Sequence, residues 1–358
     1  MNLTLFGYPK TGKSSLFNIL TGAHLEIHAF EAGKREANER VTPLPDARLD
    51  RLAGLYPEKK KVAAAVEVFD LAGISYGEVK TSVFLNALRK ADALVHVVRG
   101  FHDDEIPHPK NRVSPADDIR TMEEEIVLSD LLSIEARLER LDKDLKKMKI
   151  PEGEKEREIL LRLKARLDGG LPLRGYAFPG DEEKSVRAFA FLSRKPILHL
   201  INADESDIGR LGEIERAAAP EGPRSAALAF CGKIEREILE IEDEEERRVF
   251  RAEYGLQDLT APRFFPLMMD LLDQIFFYTI GKDEVRAWPL RRSASALKAA
   301  GAIHTDIEHG FIRAEVIGFD DLVAQGSWPK AKDKGHIRLE GKDYVVRDGD
   351  VIYFRFAT

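Results

Sequence analysis

The sequence predicts a mixed α/β domain with a mostly parallel sheet, an inserted antiparallel helical hairpin and a small C-terminal α+β module. Three observations carry this. Short apolar runs alternate with helical spacing over the first hundred residues and resume at Pro196. A three-four apolar repeat fills the middle of the chain. Short strand patterns separated by Gly- and Asp-containing turns fill the tail.

Residues 2–6 form an apolar run that stops at Gly7, and residues 13–21 follow with helical spacing through Leu16, Phe17 and Leu20. Residues 64–69, 93–98 and 196–201 are further buried-strand candidates. Strands alternating with helices argue for parallel pairing covered on both faces. The alternation stops near Ser114. Ser114-Pro115 reads as a helix start, with Asp117 and Asp118 at the positive end of the helix dipole. Apolar residues then recur at Val127, Leu131, Ile134, Leu138, Leu141, Leu145 and Met148, the seam of a coiled coil. A helix over 117–148 would be about 48 Å long at about 1.5 Å per residue. Pro151 and Gly153 break it. A second helix over 154–167 carries Ile159, Leu163 and Leu167 before Gly169-Gly170 ends it. Two helices joined by a tight turn make an antiparallel hairpin, and because strand signal returns only at Pro196, the hairpin interrupts the α/β domain. From Tyr278 onward, strand candidates at 311–317, 336–339, 344–346 and 351–356 alternate with Gly-Lys-Asp and Asp-Gly-Asp turns.

Composition narrows the function. Of 358 residues, 44% are hydrophobic and 33% charged, enough for a large core and too apolar for wholesale disorder. One cysteine, Cys231, excludes an internal disulfide framework and fits a reducing, cytoplasmic setting. No apolar run is long enough to span a bilayer, and the first residues lack the pattern of a signal peptide, so no membrane role is expected. The net charge of −7 argues against a generally basic nucleic-acid-coating protein. The tail is nearly charge-balanced, however. Its segment Arg286-Ala-Trp-Pro-Leu-Arg291-Arg292 mixes an aromatic with three arginines, as an RNA-contacting surface or an ordinary solvated edge would.

The chemistry concentrates in four places. Gly7-Tyr-Pro9-Lys10-Thr11-Gly12-Lys13-Ser14, followed by Ser15, fits the phosphate-loop pattern. Its glycines let backbone N–H groups wrap phosphates, Lys13 reaches the terminal phosphates, and the Ser14 hydroxyl is placed for Mg²⁺. The helix that begins there adds its positive end. Asp70-Leu-Ala-Gly73 ends a strand candidate, where Asp70 can hold Mg²⁺ through water and Gly73 can offer an N–H to a γ-phosphate. Asn202-Ala203-Asp-Glu205 follows the strand at 196–201, the position of a base-reading loop. Guanine-specific loops have Asn-Lys-x-Asp. Here Ala203 cannot pack over a base as a Lys stem would, and the longer Glu205 crowds guanine, which favours adenine. Cys231-Gly-Lys233 follows another apolar run and reads either as a second loop under the base or as a buried small hydrophobe.

With these motifs the chain resembles the Obg-like ATPases of the YchF type, a branch of the P-loop NTPases. The resemblance runs through Leu16-Phe-Asn, Pro45-Asp-Ala-Arg-Leu-Asp50, Asp70-Leu-Ala-Gly73, Ala93-Leu-Val-His-Val-Val-Arg99 and Asn202-Ala-Asp-Glu205. In the tail it includes Gly281-Lys-Asp-Glu-Val-Arg-Ala-Trp288, Ala302-Ile-His-Thr-Asp306 and Glu340-Gly-Lys-Asp-Tyr344. It implies a P-loop NTPase domain over residues 1–113 and 190–277, an inserted coiled-coil hairpin over 114–189 and a C-terminal β-grasp TGS domain over 278–358. It further implies ATP in preference to GTP, Mg²⁺, and ribosome or RNA-protein partners. RNA contact would run through the TGS-like domain and hairpin, in a monomer or weak dimer.

The resemblance also makes departures visible. The family usually has Asn where Lys10 stands, and in related NTPases that Asn helps hold K⁺; Lys10 would supply an ammonium there or point to solvent. The family's Thr pair over the γ-phosphate aligns with Gly33 and Lys34, which lack a hydroxyl for Mg²⁺. Ile74 stands where many GTPases have a water-orienting Gln. His108, in Glu105-Ile-Pro-His108-Pro, matches the histidine that the family is thought to use for water, so His108 and Lys13 are the candidate catalytic residues. His96 and His304 read as structural. Two other functions stay open: a hydrolysis-deficient nucleotide-binding scaffold, and a GTPase.

Overall fold

The computed structural model describes residues 1–23, 38–73, 82–103, 108, 110–147 and 151–357. Its strands are β1 (Asn2–Phe6), β2 (Asn38–Pro43), β3 (Lys60–Val62), β4 (Ala65–Asp70), β5 (Ala93–Gly100), β6 (Ile197–Ala203), β7 (Ser225–Phe230), β8 (Gln274–Ile280), β9 (Glu284–Arg291), β10 (Phe311–Gly318), β11 (Arg338–Glu340) and β12 (Asp350–Phe356). They form two six-stranded sheets, in the orders β2-β4-β1-β5-β6-β7 and β11-β10-β12-β8-β9-β3. The chain divides into two compact units, Met1–Val41 with Glu67–Phe264, and Thr42–Val66 with Phe265–Thr358.

In the first unit, β1 pairs in parallel with β4 and β5, and β5–β6–β7 continue in parallel. β5 and β6 are continuous apolar runs because both faces of the sheet are covered; each is buried almost end to end. On one face Phe6, Leu94 and Ile197 pack with Leu88, Met122 and Ile126. Farther along the same face, Val98, Ile201 and Ala229 pack with Ile208, Ile234 and Ile238. The carboxyl ends of β1, β5 and β6 thus converge on one edge, where ligands bind in open α/β sheets.

The three helices expected at 13–21, 117–148 and 154–167 lie close to those places, and two further helices join them. α1 (Lys13–Thr21) follows β1, α2 (Ala47–Leu55) starts at Asp46, whose carboxylate accepts from the N–H groups of Arg48 and Leu49, and α3 (Ser82–Lys90) precedes β5. The hairpin consists of α4 (Pro115–Lys147) and α5 (Pro151–Asp168). Val127, Ile134, Leu138, Ile159, Leu163 and Leu167 close its seam. Met148 lies outside the described residues. Arg137 grips Glu156 through two bonds of 2.8 and 2.7 Å, and Arg157 reaches Asp142 at 2.6 Å. The second helix begins at Pro151 rather than after Gly153, because proline is compatible with a first helical turn.

The second unit takes in more of the chain than the tail alone. Residues 42–66 and 265–277, assigned above to the NTPase domain, pack with the C-terminal residues. β3 adds in parallel to β9, with Lys60 opposite Glu284 and Val62 opposite Arg286. The Arg48 guanidinium holds Asp348 at 2.7 and 3.2 Å, and the Tyr278 hydroxyl donates to Asp46 at 2.7 Å. β8 and β9 form an antiparallel hairpin, β12 lies parallel to β8, and the helix Ala296–Ile303 packs Ala296, Ala299 and Ala300 against Ile275, Phe277, Val316 and Ile352. The expected strand at 344–346 is reduced to a bridge between Val345 and Ser295.

One buried carboxyl gives the first unit a pH-dependent stability. Glu235 is 1% exposed and accepts from the Thr260 N–H at 2.7 Å and hydroxyl at 2.5 Å. Burial raises its pKa from 4.5 to about 7, against the lowering effect of those bonds. A raised folded value means that the proton binds more tightly in the folded state. The stability that this contributes is full below the unfolded value and is lost as pH rises through about 7. Measured by denaturant unfolding, the native protein should lose about 3 kcal/mol relative to Glu235→Gln between acid and mildly basic pH. A pH-independent difference between the two would contradict this.

Candidate functional site

The loop from β1 to α1 is built for close approach. Gly12 takes φ +96° at the N-cap of α1, and no side-chain acceptor caps that helix end, which suits an anion. A Cβ on Gly12 would lie 2.2 Å from the Asn202 amide nitrogen, so only glycine fits. Lys13 is buried, and its ammonium donates to the carbonyls of Tyr8 at 2.7 Å and Gly7 at 3.3 Å. Burial pushes its pKa down to about 8, with the nearby Asp70 carboxylate opposing the shift. Such an ammonium is poised to exchange neutral carbonyls for an anionic ligand.

Asp70 ends β4 and is 2% exposed. Its carboxylate accepts from the Ser14 hydroxyl at 2.9 Å. Burial raises the Asp70 pKa, and the Ser14 bond and Lys13 charge work against that. Gly73 lies against the same loop, where an added Cβ would meet Pro9 Cα at 2.7 Å.

Asn202, near the end of β6, acts as a strut. Its amide nitrogen donates to the Thr11 carbonyl at 3.2 Å, and its amide oxygen accepts from the Gly232 N–H at 2.9 Å. One side chain therefore ties the phosphate loop to the turn that starts the helix Gly232–Glu240. Cys231 stands at the N-cap position of that helix, is 1% exposed and has its thiol pKa raised by burial. Glu205 is partly exposed and pairs with Lys233 at 2.8 Å.

These elements border a cleft of about 800 Å³. Pro9, Lys10, Gly12, Lys13, Ser14, Ser15, Gly73, Asn202, Ala203, Glu205 and Cys231 line it. Gly7, Thr11 and Asp70 stand behind that lining; the Thr11 hydroxyl donates to the Tyr8 carbonyl at 3.2 Å, and Asp70 is reached through Ser14. Lys10 sits in the left-handed region, φ +59°, with its side chain exposed. The sequence reading missed Phe101, His102, Asp103 and Arg236, which also line the cleft. Phe101 follows β5 and is fixed by Arg99, whose Nε donates to its carbonyl at 3.1 Å and whose guanidinium lies 4.6 Å from the ring. An aromatic just past the carboxyl end of a central parallel strand was the available signal.

His108 departs from expectation. It is not among the residues that line the cleft. Its ring is buried, with Nε2 2.9 Å from the Asp118 carboxylate and Nδ1 accepting from the Lys110 N–H at 3.1 Å. Lys110 completes the group, its ammonium 3.2 Å from Asp118. Both imidazole nitrogens are thereby engaged, so in this arrangement His108 cannot orient water in the cleft. Gly33, Lys34 and Ile74 lie outside the described residues.

The comparisons with known proteins agree with this geometry. Residues 2–152 match the family described as 50S ribosome-binding GTPase. Residues 274–357 match the C-terminal family of YchF GTPases, described as a protein of unknown function (DUF933). The chain is 39% identical over 362 residues to the ribosome-binding ATPase YchF of Bacillus subtilis (strain 168), covering 98% of each. Against the protein of that name from Escherichia coli O157:H7 it is 37% identical over 359 residues, again covering 98% of each. Against Obg-like ATPase 1 of Oryza sativa subsp. japonica it is 33% identical over 368 residues, covering 99% of this chain and 92% of the relative. The solved structure of the Schizosaccharomyces pombe YchF GTPase superposes with a TM-score of 0.84 at 27% identity, covering 99% of this chain and 97% of that one. A nucleotide-binding P-loop cleft, an inserted helical hairpin and end-to-end similarity at these identities make this chain a member of the YchF family of Obg-like ATPases.

Proposed function

We propose that this protein is a slow, Mg²⁺-dependent ATPase whose nucleotide state governs its docking to the ribosome. The single observation that carries this is the convergence of the phosphate loop, Asp70-Gly73 and Asn202-Glu205 on one cleft. The residues present fit a nucleoside triphosphate with Mg²⁺: a buried ammonium with displaceable partners, an uncapped helix start and a hydroxyl–carboxylate pair. No cluster of three or more His, Cys, Asp or Glu residues suited to a metal occurs among the described residues, so the cation would rest on Ser14, Asp70 and the phosphates themselves. When bound, Mg²⁺ would neutralise charge on the phosphates.

Lys13 and the loop amides would bind phosphate oxygens, and Gly73 would offer its N–H to the terminal one. Phe101 would give the base an apolar platform, with Ala203, Glu205 and Cys231 around its edge. Glu205 can accept from an exocyclic amino group once it leaves Lys233. Its length and the small Ala203 support adenine over guanine, in keeping with the name ATPase carried by the bacterial and rice relatives. His108 would contribute to water activation only after releasing Asp118, which supports slow turnover.

Ribosome docking is supported by the printed names of the bacterial relatives. RNA contact through the C-terminal unit draws support from Arg286, whose guanidinium lies 4.1 Å from the centre of the Trp288 ring, an arginine–aromatic pair of the kind that RNA-binding surfaces use. No described helix is long and apolar enough to cross a membrane. The protein would act in the cytoplasm as a monomer or weak dimer. Calorimetric titration with ATP and GTP, with and without Mg²⁺, tests the core of this reading, followed by ribosome co-sedimentation in each nucleotide state. ATP should bind more tightly than GTP, and Mg²⁺ should strengthen it. Tighter GTP binding, or sedimentation indifferent to nucleotide, would contradict it.

A further inference from the structure

Behind the phosphate loop lies a buried chain of polar side chains that the nucleotide chemistry does not use. His96 on β5 and His199 on β6 are register partners on adjacent parallel strands, both 0% exposed. Their Nδ1 atoms are 3.1 Å apart. His199 Nε2 lies 3.2 Å from the Glu123 carboxylate on α4. Arg174, just beyond the hairpin, closes on that carboxylate with bonds of 2.7 and 3.0 Å. Burial would raise the Glu123 pKa, but the His199 bond and Arg174 hold it down at about 2, so Glu123 is an anion. Burial lowers both imidazole pKa values, which keeps both rings neutral.

Those protonation states fix the direction of every bond. A carboxylate only accepts, so His199 must carry its proton on Nε2 and leave Nδ1 bare. The short Nδ1–Nδ1 contact then needs the proton on His96 Nδ1. His96 Nε2 is left bare, and it is a buried atom with no hydrogen-bond partner among the described residues. That ring edge faces the phosphate loop: His96 Cδ2 is 3.5 Å from the place a Cβ on Gly7 would occupy. The ring also stacks on Phe6, with centroids 5.2 Å apart. The Lys13 ammonium is near enough to oppose a positive charge on His96.

We propose that His96 and His199 are positioning residues that couple the hairpin to the nucleotide site. Glu123, on the first hairpin helix, sets the tautomer of His199; His199 sets that of His96; and His96 presents either a lone pair or an N–H to the entry turn of the phosphate loop. The lone-pair state suits the nearby ammonium, and the reversed state would turn a proton toward it. A partner that pulls α4 away from His199 frees the pair to reverse and weakens nucleotide binding. By linkage, bound nucleotide favours the hairpin position in which Glu123 engages His199. This rests on the reading of the cleft as a nucleotide site.

The test uses the full chain labelled with ¹⁵N-histidine, together with calorimetric ATP titration in Mg²⁺. In the native protein, His96 should be protonated at Nδ1 and His199 at Nε2. Glu123→Leu removes the oxygen that accepts from both Arg174 and His199 Nε2, so it should release His199, and His96 with it, from the native tautomers. It should also weaken ATP binding about three- to thirtyfold, the scale of a coupling network. His96→Phe keeps the stacking on Phe6 but removes the lone pair that suits the ammonium, and should weaken ATP similarly; it decides the case if Glu123→Leu fails to fold. A native His96 protonated at Nε2, or either variant binding ATP within twofold of the native protein, would overturn the proposal. Native protein that binds no ATP at all would instead defeat the nucleotide reading of the cleft.

Discussion

Replacing Lys13 with alanine is expected to remove nearly all nucleotide binding while leaving the fold as stable as before. The ammonium is buried and bonded to two neutral carbonyls, at 2.7 and 3.3 Å. Its pKa is already pushed down to about 8 by that burial, so the folded protein gains little from keeping it charged. A triphosphate changes the balance, because charge-assisted bonds contribute about 1.5–3 kcal/mol each. Two such bonds correspond to about 4 kcal/mol, or roughly a thousandfold in affinity. Denaturant unfolding of the nucleotide-free protein should change by no more than about 1 kcal/mol. Retained ATP affinity in Lys13→Ala, beside an intact fold, would remove the basis for the phosphate site.

Asn202→Ala should have the second largest effect, and on both affinity and stability. Its amide satisfies the Thr11 carbonyl on one side and the Gly232 N–H on the other. Truncation leaves both buried groups without that partner, at about 1–3 kcal/mol each. The expected loss is about 2–6 kcal/mol of stability. Nucleotide affinity should fall for ATP and GTP alike, because the strut holds the phosphate loop that both would share. Glu205→Ala should behave differently. Glu205 is partly exposed and tied to an exposed lysine, so stability should barely move while the ratio of ATP to GTP affinity falls. An Asn202→Ala protein of native stability that alters only base preference would assign Asn202 to the base instead of the loops.

Much of the first unit was legible because its signals are local. β1, the phosphate loop and α1 follow one another within twenty-one residues, and the continuous apolar runs of β5 and β6 mark strands buried on both faces. The hairpin was legible because a three-four repeat leaves few alternatives to a helical pair. What sequence could not supply was placement through contacts distant in the chain. β3 is three residues, two of them lysines, and becomes a strand only because β9 lies beside it. Likewise Arg48 and Asp46 are anchored by Asp348 and Tyr278, hundreds of positions away. In the site, Asn202 was expected at the base; it lines the cleft and its contacts also make it a strut, a role that requires the distance from Thr11 to Gly232 in space. Phe101 went unnoticed because a lone aromatic has no motif, and the burial of His108 against Asp118 follows from helix packing rather than spacing.

The proposed activity depends on a triphosphate seated in this cleft against the loop that Lys13 closes. A crystal structure of the protein grown with Mg²⁺ and a non-hydrolysable ATP analogue tests it most directly. Phosphate density should surround the amides of the Gly12 turn, with the Lys13 ammonium moved from the Tyr8 carbonyl to a phosphate oxygen and adenine beside Phe101. An analogue bound elsewhere, or Lys13 still on Gly7 and Tyr8 with the cleft empty at saturating analogue, would contradict it.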